Sequence, residues 1–448
     1  MSFVSPRSLG RLATAVVVGA AGVAIAVPAN AAEGDTVSRG LTIPVFYNPP
    51  QYLPADNGAL VRSEPMKIGL TLPGLDGKTM PGTATRVMFK STDMNGKPVA
   101  VTGAYIEPSA KWKGSGPRPL IVQASGTMGQ GDQCAPSLAL EKPLAINLDP
   151  LGVSVGYENI AAYRLLAKGI GVMVTDYVGL GTTDRTHTYV GRIDQGHAVL
   201  DAARAALKLP NTSLTNSSKI GLYGYSQGGG ATGSAAEFAA SYAPELKISG
   251  AYVGAPPADL TKVMTGIDGS ALAVALAWTI NGMAENFPDL APILDKYLSE
   301  KGAKVFEDAK TLCVGDGLIK YAFTKSSSLT KQGYSLAEIL KREPAVRAVV
   351  EDQRIGKVKP SFPVRVSTGT ADDSVPHGQA RQLAVDWCKL GGNVTYKPIL
   401  LPNLGDKVVL TNHFLPLIAD QGDALDWITD RVSGKSTGNN CLFLPLMP

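Results

Sequence analysis

The sequence predicts an α/β architecture, a mostly parallel sheet flanked by helices with a mostly helical segment inserted into it. Three observations carry this. Short, nearly uninterrupted apolar runs at 120–124 and 171–175 read as strands buried on both faces. Stretches of helical periodicity separate such runs and give a repeated β-α-β order. That order breaks off at Gly254-Ala255-Pro256-Pro257, yields to helical patterning, and resumes at Phe362.

The elements follow in order. A Pro-rich arm at 44–56 reads as extended, and strands at 83–89 and 99–106 flank the turn-forming Asn95-Gly96. After strand 120–124 come helix 160–168, strand 171–175, helix 193–207, strand 219–223, the Ala-rich helix 230–242 and strand 246–253. The second run comprises strand 362–367, helix 378–390, strand 394–400 and a final helix 415–432. These breaks divide the chain into a core of 32–256 and 361–448, with 257–360 as a helical cap.

At 448 residues, the chain exceeds a typical single domain, which suits one large core with an insertion or two domains. Hydrophobic residues make up 44% and charged residues 18%, as in ordinary globular proteins. The net charge of +4 comes from scattered Lys and Arg with no basic stripe, so a nucleic-acid partner is not expected.

Arg7 and Arg11 precede a nearly pure apolar run at 12–27, then Pro28 and Ala29-Asn30-Ala31. This is the pattern of a secretory signal peptide, residues 1–31, with cleavage near Ala31. The run falls short of the roughly 20 residues that cross a bilayer, and no later segment is long enough. The mature chain would be secreted or held at the cell envelope. Export also suits the four cysteines, Cys134, Cys313, Cys388 and Cys441: none has metal-site spacing, and an even number in an oxidising compartment suggests two disulfides in one of three pairings.

Gly224-Tyr225-Ser226-Gln227-Gly228 matches Gly-x-Ser-x-Gly, and so does Gly434-Lys435-Ser436-Thr437-Gly438. Context separates them. The first lies between a buried strand and an Ala/Gly-rich helix, where a strained turn exposes a nucleophilic serine; the second sits in a polar tail. Its Gly-Lys-Ser also fails as a phosphate loop, because Thr429 stands where the first glycine is needed. Gly228 to Gly233 formally fits Gly-x-Gly-x-x-Gly, but close helix–sheet packing explains those glycines better than a dinucleotide. No cofactor or metal motif remains.

A serine nucleophile needs a histidine base and a carboxylate that holds the histidine tautomer. In this kind of fold the order is Ser, acid, His. Of the four histidines, His187 and His197 precede Ser226; His197 reads as a structural helix residue. His377 follows the acid segment too closely, which leaves His413, in the loop 403–412 that opens the last helix. Asp372 or Asp373, after strand 362–367, would supply the acid. The oxyanion should meet the N–H of Gln227 and a second donor in the glycine-rich loop 125–131, Thr127 before Met128.

Together Gly224 to Gly229, Gly369-x-x-Asp372-x-x-Val375-Pro376, Asn412-His413-Phe414 and Cys134-Ala135-Pro136-Ser137 resemble the secretory lipase family of α/β-hydrolases, over nearly the whole mature chain. The resemblance implies Ser226, Asp372 and His413 as the triad, a helical cap, and disulfides Cys134–Cys313 and Cys388–Cys441. It implies an acyl-enzyme route with no cofactor, on small-molecule or lipid esters, with transient lipid contact through the cap. Leu272, Val274, Leu276 and Trp278 would suit an acyl channel or cap packing. Acyl transfer on the same triad, or a non-catalytic exported binding protein on this scaffold, are the alternative readings, and the oligomeric state is open.

Overall fold

A computed structural model describes residues 33–73, 79–405 and 410–448; the expected signal peptide lies outside them. Nine strands form one sheet: β1 (Leu60–Met66), β2 (Gly82–Thr92), β3 (Pro98–Pro108), β4 (Leu120–Ala124), β5 (Gly171–Thr175), β6 (Ile220–Tyr225), β7 (Ile248–Gly254), β8 (Val364–Gly369) and β9 (Val394–Ile399). Their spatial order is β9-β8-β7-β6-β4-β5-β3-β2-β1. The six strands β4 to β9 pair in parallel, and β1 to β3 extend the sheet antiparallel. The interchange of β4 and β5 makes β4 and β6 neighbours, with Gly224 of β6 beside Ala124 of β4.

Strand alternation sends side chains to two cores. Leu120, Val122 and Leu222 meet three helices on one face: α3 (Arg192–Lys208), α4 (Gln227–Tyr242) and α12 (His377–Lys389). Ile121, Tyr223 and Tyr225 meet α2 (Asn159–Ala167) and α13 (Thr411–Val432) on the other. A buried pair fixes α13 on the sheet: Arg365 Nη2 donates to Asp420 Oδ1 at 2.7 Å, and Tyr252 Oη to Asp420 Oδ2 at 2.9 Å. Beyond β9, Asn440 bonds the backbone of Tyr396 on both sides, and the Cys388–Cys441 disulfide holds that tail on α12.

Between β7 and β8 the chain forms seven α-helices, from α5 (Leu260–Ile267) and α6 (Val274–Asn286) through α11 (Pro344–Asp352). They bury their own apolar cluster, including Met264, Leu276 and Trp278. Side-chain caps start several of them: Asp259 accepts from Lys262 N–H, and Ser335 with Glu338 forms a capping box. The second disulfide, Cys134–Cys313, joins this layer to the segment after β4.

Some local expectations need correction. The Pro-rich arm is not simply extended: residues Val45–Tyr47 make a 3₁₀ turn that buries Phe46 and Tyr47. Strand β1 was not expected, nor the hairpin of Leu144–Leu148 with Leu151–Val155. Helix α4 starts at Gln227 rather than residue 230, and α13 starts at Thr411 rather than residue 415. His413 therefore sits in the first turn of a helix and not in the preceding loop.

Candidate active site

Ser226 lies between β6 and α4 with φ +59° and ψ −125°, a sparsely populated positive-φ conformation that costs about 1–3 kcal/mol and persists only if its surroundings enforce it. They do. Ser226 N–H donates to Gly254 O at 2.9 Å, and the nearby glycines leave no room for a side chain. A Cβ on Gly224 would stand 2.2 Å from Gly228 O, one on Gly228 2.0 Å from Ala124 O, and one on Gly229 2.0 Å from Gly254 O. The glycines let α4 press onto β4 and β7, as expected from the sequence, and the turn lifts the serine over the sheet edge.

His413 Nε2 is 2.9 Å from Ser226 Oγ, and His413 Nδ1 is 2.7 Å from Asp372 Oδ2. The other carboxylate oxygen, Oδ1, accepts from Ser374 N–H at 3.0 Å and Val375 N–H at 2.8 Å, so the acid is fixed from behind. Asp373 turns toward Asn412, whose Nδ2 approaches its Oδ2 at 3.4 Å. The backbone that carries the imidazole is braced as well: Tyr225 Oη donates to His413 O at 2.8 Å, and Asn412 bonds Asn403, Leu404 and Gly405. All three side chains are buried. His377 lies elsewhere, against Tyr396 Oη, and His197 Nδ1 bonds Thr92 O beneath a stacked Tyr242.

Gln227 is the first residue of α4, so its N–H has no carbonyl ahead of it in the helix and points with the positive end of the helix dipole. Thr127 shares a small pocket with Ser226, Tyr157, His413 and Phe414. Met128 is turned into the main core, and its carbonyl accepts Val314 N–H at 2.7 Å. Two residues brace this loop from below. Glu158 Oε2 accepts Gly126 N–H at 3.1 Å, and Tyr157 Oη donates to Thr127 O at 3.2 Å. Burial pushes the Glu158 carboxyl up to about 8, against the lowering effect of that Gly126 hydrogen bond.

Sequence reasoning set His187 aside because it precedes the serine. Its Nε2 lies 3.1 Å from Nε2 of Gln227, the residue after the serine. Burial holds this ring down to about 4, so it is neutral.

A second pocket at Ser226 opens toward the cap, between Tyr189, Leu260, Val263, Leu272 and Val375. Beyond it the cap contains a cavity lined almost wholly by apolar side chains such as Ile280, Leu290, Leu298, Leu340 and Val350. Met264 borders both spaces. Val274 and Leu276 line the cavity and Leu272 the serine pockets. Trp278 instead packs in the cap core and donates to Ala309 O at 3.0 Å.

Comparison with known proteins bears on the family and the fold. A family model described as secretory lipase matches residues 144–440. A Mycobacterium tuberculosis protein named a probable inactive lipase is 29% identical over 392 residues, 88% of this chain and 82% of that one. Lipase 2 of Candida albicans is 28% identical over 412 residues, with the same shares. Among solved structures, Candida antarctica lipase A in its closed state superposes with a TM-score of 0.72 at 20% identity, covering 88% of this chain and 87% of that one. A rice cell wall degrading esterase from Xanthomonas oryzae reaches 0.68 at 18% identity over 84% and 99%. At such identities these structures speak for the fold, an α/β-hydrolase.

Proposed function

The chain belongs to the secretory lipase family, and from that premise we propose that it is an exported hydrolase that cleaves carboxylic esters through an acyl-enzyme on Ser226. The observation that carries this is the continuous hydrogen-bond line from Ser226 through His413 to Asp372 at a strained strand–helix turn. In the first half-reaction Ser226 Oγ attacks the ester carbonyl and His413 Nε2 takes its proton. Asp372 holds the Nδ1–H tautomer and stabilises the imidazolium. The N–H groups of Gln227 and Thr127 receive the oxyanion. His413 then protonates the departing alcohol, and water, activated by the same nitrogen, releases the acid.

The apolar cavity in the cap supports a long acyl chain as part of the substrate, because each buried methylene gains about 0.8 kcal/mol. In this reading 32–256 and 361–448 form the hydrolase core, 257–360 the cap over the serine, and 1–31 a leader removed on export. The two disulfides suit an oxidising compartment. No helix among the described residues is long and apolar enough to cross a membrane.

A series of p-nitrophenyl esters from acetate to palmitate, hydrolysed by wild type and Ser226→Ala side by side, tests both levels. Turnover that vanishes in the variant and favours long chains is expected. Undiminished activity in Ser226→Ala would remove the nucleophile, and activity confined to acetate and butyrate would remove the lipid substrate.

A further inference from the structure

We propose that His187 is a positioning residue for the oxyanion site, anchoring the side chain of Gln227 and thereby fixing the first turn of α4 whose N–H faces the reacting carbonyl. The inference rests on the serine-hydrolase reading above and adds a residue that the Ser-acid-His order excludes from catalysis.

The tautomer follows from the partners. His187 Nδ1 lies 2.9 Å from Val178 O, which can only accept, so Nδ1 carries the proton and Nε2 a lone pair. Gln227 Nε2–H, at 3.1 Å, is then the donor to it. Gln227 is 2% exposed, and its Oε1 has no hydrogen-bond partner among the described residues, so the His187 contact is the bond that orients this side chain. Without it the buried amide would lose the bond its Nε2 makes at the head of α4, a desolvation cost that the helix start would relieve by shifting. A shift of a few tenths of an ångström there moves the N–H relative to the developing oxyanion.

The same short segment reaches the other donor. Gln130 Nε2 donates to His187 O at 2.9 Å, and Tyr189 Oη and Thr127 Oγ1 are 2.7 Å apart. The His187 ring stacks on Tyr177, whose Oη donates to Ser125 O at 2.6 Å. Residues 187–189 thus bridge the loop after β4 and the start of α4, the two elements whose spacing sets the oxyanion geometry. Burial keeps the ring neutral at any ordinary assay pH, so it remains an acceptor.

The test compares His187→Phe, which keeps the aromatic stack but cannot accept, with His187→Gln, whose Oε1 reaches the position of Nε2. Gln227→Met and the double variant His187→Phe/Gln227→Met complete a cycle. Readouts are kcat and KM on p-nitrophenyl butyrate, inhibition by an aryl boronic acid that forms a tetrahedral adduct, and Tm. His187→Phe should lower kcat by about 10-fold or more with KM nearly unchanged, and weaken boronate inhibition in step. His187→Gln should recover most of that, and the double variant should be no worse than Gln227→Met. A folded His187→Phe with wild-type kcat overturns the proposal, as does a double variant whose losses multiply. Should His187→Phe not fold, Gln227→Met alone must show the kcat and boronate losses, and its equality with wild type refutes the anchor. Wild type without any turnover would instead remove the hydrolase reading on which the proposal rests.

Discussion

Replacing Asp372 by Asn isolates the role of a single proton. The amide keeps the size of the carboxylate, and its orientation is set by the backbone. Ser374 and Val375 N–H groups donate to Oδ1 at 3.0 and 2.8 Å, so the amide oxygen must occupy that position. Its NH₂ then faces His413 Nδ1, where Oδ2 stood at 2.7 Å. Two donors cannot share that bond, so His413 must shed the Nδ1 proton and carry one on Nε2, which can no longer accept from Ser226 Oγ. In an established triad the same change lowers kcat by about 10⁴-fold, or about 5 kcal/mol of transition-state stabilisation, and a comparable loss is expected here. The assay is kcat on p-nitrophenyl butyrate, with Tm to show that the fold is intact. Asp373→Asn is the internal control and should stay within about 3-fold of wild type, since a neighbouring carboxylate that does not touch the imidazole leaves its tautomer alone. A folded Asp372→Asn within 10-fold of wild type, or a larger loss in Asp373→Asn, would refute the reasoning.

Gly229→Ala would press a Cβ to 2.0 Å from Gly254 O, backbone that cannot swing away; a loss of about 1–3 kcal/mol, read as a lower Tm together with lower kcat, is expected. Met264→Trp puts bulk where the serine pocket and the cap cavity share a lining residue, and should cut palmitate ester turnover several-fold more than butyrate in the same ester series. Opening Cys134–Cys313 as a double Ser variant frees a loop with a sequence separation of 179, worth about 5 kcal/mol by loop entropy, and should lower the denaturation midpoint. Glu158 makes stability depend on pH in the direction opposite to a paired carboxylate. Its folded value of about 8 stands above its ordinary 4.5, so between those values the folded chain holds a proton that the unfolded chain has released. Its contribution therefore falls as pH rises through that window and levels off above about 8. Glu158→Gln, which cannot titrate, should gain on wild type between pH 5 and pH 8 in denaturation midpoint; a constant difference would contradict the burial argument.

Most of the sheet could be read from the sequence because its central strands are buried on both faces and appear as unbroken apolar runs. β4 and β5 have the expected limits. Strand β1 is an edge carrying Arg62, Glu64 and Pro65, and polarity and a proline hide a strand where one side needs no partner. The start of α4 was hidden by Gly228, Gly229 and Gly230, poor helix formers; backbone packs against the first two and the Pro257 ring against the third. The start of α13 lacked a capping side chain altogether: Leu410 takes the cap position with φ +58°. His187 was missed for another reason. Chain order constrains the residue that takes the proton, but not one that holds a neighbouring side chain, and no local pattern marks such a contact.

The most direct test of the account is intact-protein mass spectrometry of the folded chain treated with a fluorophosphonate, followed by peptide mapping. It bears on the contrast within the family, where one similar protein is named inactive and others are named lipases. One adduct per chain is predicted, on Ser226, abolished in Ser226→Ala and slowed strongly in Asp372→Asn. Folded wild-type protein that takes up no label, or labels at another serine, would contradict the central claim and favour a non-catalytic role for this scaffold.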